Sequence, residues 1–110
     1  MDFDAMMAEL RKEYLSELPK VIINLKEAHS ENNGEKVHTI FHQLKGSGKT
    51  YGFDEITDLC KIMEERSKGN SIPKGCDDAI SILETILKKR SGNEPVNLNQ
   101  DSRYIKLIQQ

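Results

Sequence analysis

Apolar residues recur every three or four positions through the first 90 residues of this 110-residue chain. Such spacing places them along one face of an α-helix. The pattern predicts four helices, at residues 3–29, 35–51, 54–68 and 75–90. Amphipathic helices with short connections favour an all-α fold, here an antiparallel four-helix bundle with an N-terminal helical extension.

The first helix carries the longest stripe, and we expect its apolar residues to face the core. That stripe consists of Phe3, Met7, Leu10, Tyr14, Leu18, Val21, Leu25 and Ala28. Pro19 lies within it and predicts either a kinked helix or two abutting helices, because proline removes a backbone hydrogen bond.

Capping residues mark the other predicted ends. Asn33 is a suitable N-cap for the second helix, and Gly52 is its predicted end. Gly69 and Gly92 are the predicted C-terminal caps of the third and fourth helices. We therefore expect a bundle at residues 1–91.

Residues 92–110 have a different character and form a predicted C-terminal tail. Its start is rich in turn-forming residues. Residues 101–109 are compatible with a short helix that packs on the bundle or leads toward another domain. Its apolar part would be Tyr104, Ile105, Leu107 and Ile108.

Composition excludes several classes of protein. The chain has 16 basic and 18 acidic residues and a net charge of −2, which argues against nucleic acid as a partner. It has no apolar run of the roughly 18–20 residues that a membrane helix needs. The acidic start does not resemble a secretory signal, so we expect a cytoplasmic protein. Cys60 and Cys76 are expected to be reduced, buried thiols and not a disulfide or a zinc pair.

A polar stripe on the second helix carries the candidate chemistry. His38, His42, Lys45 and Lys49 are separated by steps of 4, 3 and 4 residues and lie about 100° from the core direction. Gly46 adds a patch of bare backbone beside them. A neutral imidazole is a competent nucleophile near pH 7, and an ammonium group suits the charge of a phosphoryl group. The wheel alone leaves open a solvated face with glycines at a frayed helix end.

Residues 46–50, with the letters GSGKT, superficially match a nucleotide-binding loop. That motif requires a further glycine at position 43, which is Gln43. It also follows a β-strand, whereas the residues before it here have helical spacing. We therefore expect no nucleotide site.

One short segment is similar to a known family. The residues at 42–48, HQLKGSG, followed by Gly52, Ile56, Cys60 and Glu64, resemble the histidine-containing phosphotransfer (HPt) domains of bacterial phosphorelays. The resemblance is close over residues 36–66. It implies a four-helix bundle in which a ring nitrogen of His42 is phosphorylated and exchanges the phosphoryl group with a response-regulator receiver aspartate.

The resemblance also implies roles for neighbouring residues. Lys45 would lie near the phosphohistidine, and Gly46 would leave room for the receiver to dock. Gln43 would be a neighbouring polar contact. His38 and Lys49 share the stripe and are expected on the docking face, although the motif does not specify them.

The same resemblance implies partners and cofactors. The expected partners are a receiver domain and an upstream histidine kinase or hybrid kinase, with the chain itself a monomer. We expect no metal site and no cofactor in the chain, with Mg²⁺ supplied by the receiver. The chain would be a phosphoryl carrier without its own ATP site, and not an enzyme. Cys60 and Glu64 match family positions that look structural, and no role for Glu64 follows from the sequence.

Three alternatives remain at this point. The chain could be a helical bundle that docks on a receiver or kinase without phosphotransfer. It could be the phosphotransfer domain of a larger sensor or chemotaxis kinase, since the Gly52–Phe53 pair is similar to that of chemotaxis kinases. It could also be an unrelated structural bundle, in which His42 has no role.

Overall fold

The computed structural model describes residues 2–110, which form five α-helices and a single 3₁₀ turn, with no β-strand in that range. The all-α prediction is therefore confirmed. The elements are α1 (Phe3–Ser30), α2 (Gly34–Tyr51), α3 (Asp54–Arg66), α4 (Cys76–Ser91), the 3₁₀ turn (Leu98–Gln100) and α5 (Ser102–Ile108). None of these helices is long and apolar enough to cross a membrane.

The first four helices form a closed bundle, as the apolar pattern predicted. Helix α1 packs on α2 and α4, and α3 packs on α2 and α4, so the apolar faces meet in one core. The largest fully buried side chains come from all four helices and the α2–α3 connection, with one from α5. Each such side chain contributes about 1.5–3 kcal/mol to folding through its removal from water.

Helix α1 is continuous through Pro19, so the predicted alternative of two abutting helices is wrong. Leu18 and Ile22, on either side of the proline, are both buried and hold the two halves against the bundle. The first turns extend past the core, and Phe3 is 67% exposed. Of the predicted inward stripe, Leu18, Leu25 and Ala28 are therefore buried and Val21 is half-buried, whereas none of its earlier residues is buried.

The ends of α2 match their predictions. The Asn33 side chain accepts a hydrogen bond from the Lys36 N–H at 3.1 Å. At the other end, Gly52 has φ +81°, and its N–H bonds to the carbonyl of Gly48. These caps fix where α2 begins and ends, and hence the register of its exposed stripe.

Helix α3 ends at Arg66, two residues before the predicted position, and its C-cap is Ser67 rather than Gly69. The cap residue makes a hydrogen bond that the apolar pattern does not reveal. The Ser67 hydroxyl, fully buried, donates to the carbonyl of Met63 at 2.8 Å. Gly69 lies beyond the cap in the left-handed conformation. At the end of α4, Gly92 is the C-cap as predicted.

The C-terminal segment packs on the bundle, which is one of the two predicted alternatives. Tyr104 and Leu107 of α5 are buried, whereas Ile105 and Ile108, also predicted as apolar contacts, are 37% and 49% exposed. A polar link strengthens the packing, because the Arg103 guanidinium donates to the Thr85 hydroxyl of α4 at 3.0 Å.

Candidate functional site

His42 lies in the middle of α2 with its side chain in solvent. Its neighbours Phe41 and Leu44 are buried in the core and fix the rotation of the helix. The His42 side chain is 64% exposed, as the helical spacing predicted. A partner protein can therefore reach the imidazole without any opening of the fold.

Glu64 of α3 contacts His42 directly. Its Oε1 lies 2.7 Å from Nδ1 of His42, and its own side chain is only 15% exposed. An ionised carboxylate only accepts hydrogen bonds, so Nδ1 of His42 carries the proton. In the neutral ring the lone pair is then on Nε2. The contact therefore selects the tautomer whose Nε2 is an available nucleophile.

The same carboxylate also binds Lys45, one turn further along α2. Oε2 of Glu64 lies 2.5 Å from Nζ of Lys45. The pKa of the Glu64 carboxyl is lowered, first by the hydrogen bond from Lys45 and then by that from His42, against an opposing effect of desolvation. Glu64 is therefore ionised at neutral pH. The single negative charge of Glu64 is shared between the imidazole of His42 and the ammonium group of Lys45.

Two glycines of α2 have opposite surroundings. A Cβ at Gly46 would meet no atom from another part of the protein within 4 Å. At Gly48 a Cβ would lie 2.8 Å from Oγ1 of Thr57 and 3.1 Å from the carbonyl oxygen of Phe53. Gly48 therefore allows α3 to approach α2 closely. Gly46 instead leaves open surface one turn beyond His42.

His38 lies one turn before His42 and is half-buried, so it is less accessible than a residue of a solvated stripe. Its Nδ1 is 2.9 Å from the buried hydroxyl of Ser67 on α3. Both imidazoles of α2 are therefore in contact with side chains of α3 or of its C-cap.

Gln43 and Lys49 are the remaining residues of the predicted site, and both are exposed. Gln43 borders a groove of about 130 Å³ between α1 and α2, where the Tyr14 hydroxyl and Ser47 Oγ are 2.9 Å apart. Lys49 lies in the last turn of α2. In the structure, His42 and Lys45 therefore contact the same carboxylate, that of Glu64. Gln43 and Lys49 lie at the edges of the exposed face of α2.

The GSGKT segment at residues 46–50 lies entirely within α2. Its backbone N–H groups are therefore part of a helix and do not form a loop after a strand. This geometry is not that of a phosphate-binding loop. It agrees with the sequence-based interpretation of the motif.

Both cysteines are free and buried, as predicted. Burial raises the pKa of both thiols, that of Cys76 to about 12. Thiolates are the reactive form of cysteine, so neither side chain contributes a nucleophile at neutral pH. Cys60 lies one turn before Glu64 and packs in the core beneath the site.

Sequence reasoning missed the contribution of α3. It identified Glu64 as a matching position but gave it no role, and it did not single out Ser67. Glu64 lies in the last turn of α3, and Ser67 is the C-cap that follows it. Their partners depend on the register between α2 and α3, which a single helical stripe does not provide.

Comparison with known families gives one finding. A family model described as "Hpt domain" matches residues 9–97 of the chain. Comparison with curated proteins and with solved structures gives no match. The matched range covers most of α1, the other bundle helices and the start of the tail.

Proposed function

The chain belongs to the Hpt domain family, whose members are phosphotransfer modules of phosphorelays, and from that premise we propose that it carries a phosphoryl group on Nε2 of His42. The group is exchanged with the aspartate of a response-regulator receiver domain. The observation that carries this proposal is the 2.7 Å contact between Nδ1 of His42 and the Glu64 carboxylate.

That contact supports a specific transfer step. The lone pair on Nε2 attacks the phosphorus of the receiver's aspartyl phosphate. The bond between phosphorus and the aspartyl oxygen breaks, and its electron pair returns to the aspartate carboxylate. The imidazole ring of His42 becomes positively charged as the N–P bond forms. Glu64, already bonded to Nδ1–H, stabilises that charge without having to move.

Lys45 supplies the second charge that the step requires. A phosphoryl group brings nearly two negative charges to the site. The Lys45 ammonium is held beside His42 through the shared carboxylate of Glu64. Since phosphoryl transfer depends mainly on positioning and charge stabilisation, we expect Lys45 to contact the phosphoryl oxygens of phosphohistidine.

The receiver docks over the exposed face of α2. Gly46 gives it access to the backbone, because no side chain stands there and a Cβ at this position would meet no other part of the protein within 4 Å. Gln43, His38 and Lys49 surround this position and are the proposed docking-face residues. Transient signalling contacts of this kind bury an area near the low end of about 1,200 Å².

The divalent ion and the phosphoryl donor come from the partners. The His42 face offers the carboxylate of Glu64, and both of its oxygens are already engaged, by His42 and Lys45. We therefore propose that the receiver holds the Mg²⁺ that its aspartate requires. An upstream histidine kinase or hybrid kinase supplies the phosphoryl group to the relay. The chain itself acts as a monomeric carrier without an ATP site.

The direct test is phosphotransfer from a receiver. The chain is incubated with a ³²P-labelled receiver domain and Mg²⁺, beside His42→Gln and the matched control His29→Gln. We expect base-stable, acid-labile label on the parent and on His29→Gln, and none on His42→Gln. Label that persists on His42→Gln would reject His42 as the acceptor. Absence of label across a panel of receivers that bind the chain would favour docking without transfer.

A further inference from the structure

His38 and His42 are four residues apart in α2, and both side chains face α3. Residues at this spacing lie above one another on a helix, with their Cβ atoms about 5–6 Å apart. Their partners, Ser67 and Glu64, are three residues apart and hence neighbours near the end of α3. Both rings are therefore oriented through Nδ1 by contacts to the end of α3, one helical turn apart.

The hydrogen bonds assign the protons of both rings. Nδ1 of His42 donates to Glu64, because a carboxylate only accepts. The Ser67 hydroxyl has two backbone acceptors for its single proton, the carbonyl of Met63 at 2.8 Å and that of Glu64 at 3.0 Å. The 2.9 Å contact with His38 is then satisfied when Nδ1 of His38 is the donor. In both neutral rings the lone pair is consequently on Nε2, the nitrogen without a protein partner.

Two histidines at this spacing can supply two of the ligands of a metal ion. Imidazole Nε2 is a common ligand of Zn²⁺ and Cu²⁺, and helical zinc motifs use a His pair four residues apart. Ligating histidines characteristically donate their other N–H to a carboxylate or another acceptor, which fixes the ring. Glu64 and Ser67 already make these contacts. Glu64 also pairs with Lys45 and so offsets the ammonium charge beside the pair.

We propose that Nε2 of His38 and Nε2 of His42 together bind one divalent transition-metal ion of the Zn²⁺ or Cu²⁺ class. Residues 2–110 contain no cluster of three or more His, Cys, Asp or Glu that could hold a metal. The site therefore has two protein ligands, and water fills the other positions. This inference departs from the sequence-based expectation of no metal site. Mg²⁺ does not bind here, because it prefers oxygen ligands.

An ion bound at this site would coordinate Nε2 of His42, the same nitrogen that carries the phosphoryl group in the proposed function. This consequence rests on the proposed function, whereas the metal site itself does not. Zn²⁺ and phosphoryl transfer would compete for Nε2 of His42, and zinc would hold the chain in its unphosphorylated form.

The site is tested by isothermal titration of the full, unphosphorylated chain with ZnCl₂, CuCl₂ and MgCl₂. We expect one Zn²⁺ per chain, tighter binding of Cu²⁺ as the Irving–Williams order requires, and no binding of Mg²⁺. Loss of only the hydrogen-bond partner that orients a metal-binding histidine costs about 10- to 100-fold in metal affinity. Loss of the histidine itself should cost at least as much. His38→Ala and His42→Ala should therefore each weaken Zn²⁺ binding by at least about tenfold.

His29→Ala is the matched control, since His29 pairs with Asp77 on another face of the bundle. It should leave Zn²⁺ affinity unchanged, and circular dichroism checks that all three variants are folded. Unchanged affinity in folded His38→Ala would overturn the proposal, as would equal losses in His29→Ala. In a second assay, each protein is labelled by a receiver with and without Zn²⁺ at a concentration that saturates the parent, and labelling with Zn²⁺ is expressed as a fraction of the same protein's zinc-free labelling. That fraction should fall close to zero for the parent and stay near one for His38→Ala, whatever the loss of His38 from the docking face does to the zinc-free rate. Equal inhibition of both would overturn the competition, while failure of labelling without zinc would count only against the proposed function.

Discussion

Glu64 on α3 bonds to His42 on α2, with 2.7 Å between Oε1 and Nδ1. The contact joins the exposed imidazole to a largely buried carboxylate on a different helix. Because Lys45 shares that carboxylate, the ring orientation, its tautomer and the neighbouring positive charge all depend on one residue. This dependence makes Glu64 the most informative position for mutation after His42 itself.

Replacement of Glu64 by glutamine should slow transfer from a receiver to His42 by about 10- to 100-fold, by analogy with loss of the hydrogen-bond partner that orients a metal-binding histidine. Glutamine keeps the shape of the side chain but removes the charge that stabilises the ring during attack. Single-turnover rates measure the effect. Glu65→Gln is the matched control, because Glu65 is exposed and pairs with Lys68. Equal rates for Glu64→Gln and the parent would contradict this role.

The Glu64 contacts also predict a pH dependence of stability. The pKa of this carboxyl is lowered below its ordinary value of 4.5 in the folded chain. Its stabilising contribution is therefore complete above that value and is lost as pH falls through the lowered pKa. Since both partners of Glu64 are partly exposed, we expect about 0.5–1 kcal/mol at pH 7.

Urea unfolding of the parent and Glu64→Gln at pH 7 and at pH 2–3 measures this contribution. The parent should be the more stable of the two at pH 7, and the difference should shrink at acid pH. A difference that does not change with pH would show that the ion pairs contribute nothing.

Gly46 and Gly48 should respond in opposite ways to the same substitution. Gly46→Ala should stabilise the chain by up to about 1 kcal/mol, because alanine is the better helix former and the site is open. Gly48→Ala should destabilise it by about 1–3 kcal/mol, because the new methyl group would push against Thr57 and the Phe53 carbonyl. Thermal unfolding of the two variants gives the comparison. Equal shifts of the same sign would be inconsistent with the close approach of α3 at Gly48.

A larger side chain at Gly46 should weaken receiver binding. Gly46→Gln fits an exposed helical position, so the bundle should remain folded while the side chain projects into the docking face. Surface plasmon resonance with a phosphorylatable receiver should show weaker binding than for Gly46→Ala, which controls for the loss of glycine. Normal binding of folded Gly46→Gln would mean that the receiver does not dock over this position.

Much of the fold could be predicted from the chain alone because helical periodicity is a local property. The spacing of buried residues placed α2 correctly to within a residue, and Asn33 and Gly52 marked its ends. The exposure of His42 followed from the same spacing. The end of α3 could not be predicted this way, since its C-cap is not a glycine but Ser67, a polar residue that is buried with its hydroxyl bonded to the Met63 carbonyl.

The site was only half predictable for a related reason. His42 and Lys45 lie on one helix, so their proximity follows from the sequence. The position of Glu64 depends on how α3 is aligned along α2, and Gly48 contributes to that alignment by allowing close contact with Thr57. Such packing involves residues that are distant in the chain. The family resemblance marked Glu64 as a matching position, but only the packed helices show what it binds.

The central claim is that Nε2 of His42 accepts the phosphoryl group because Glu64 holds Nδ1. The most direct measurement is NMR of the phosphorylated chain, with ¹⁵N-labelled histidine rings and observation of ³¹P coupling to the ring nitrogens. The account predicts coupling to Nε2 of His42, with Nδ1 still protonated. A phosphoryl group on Nδ1 of His42, or on His38 or His29, would contradict it.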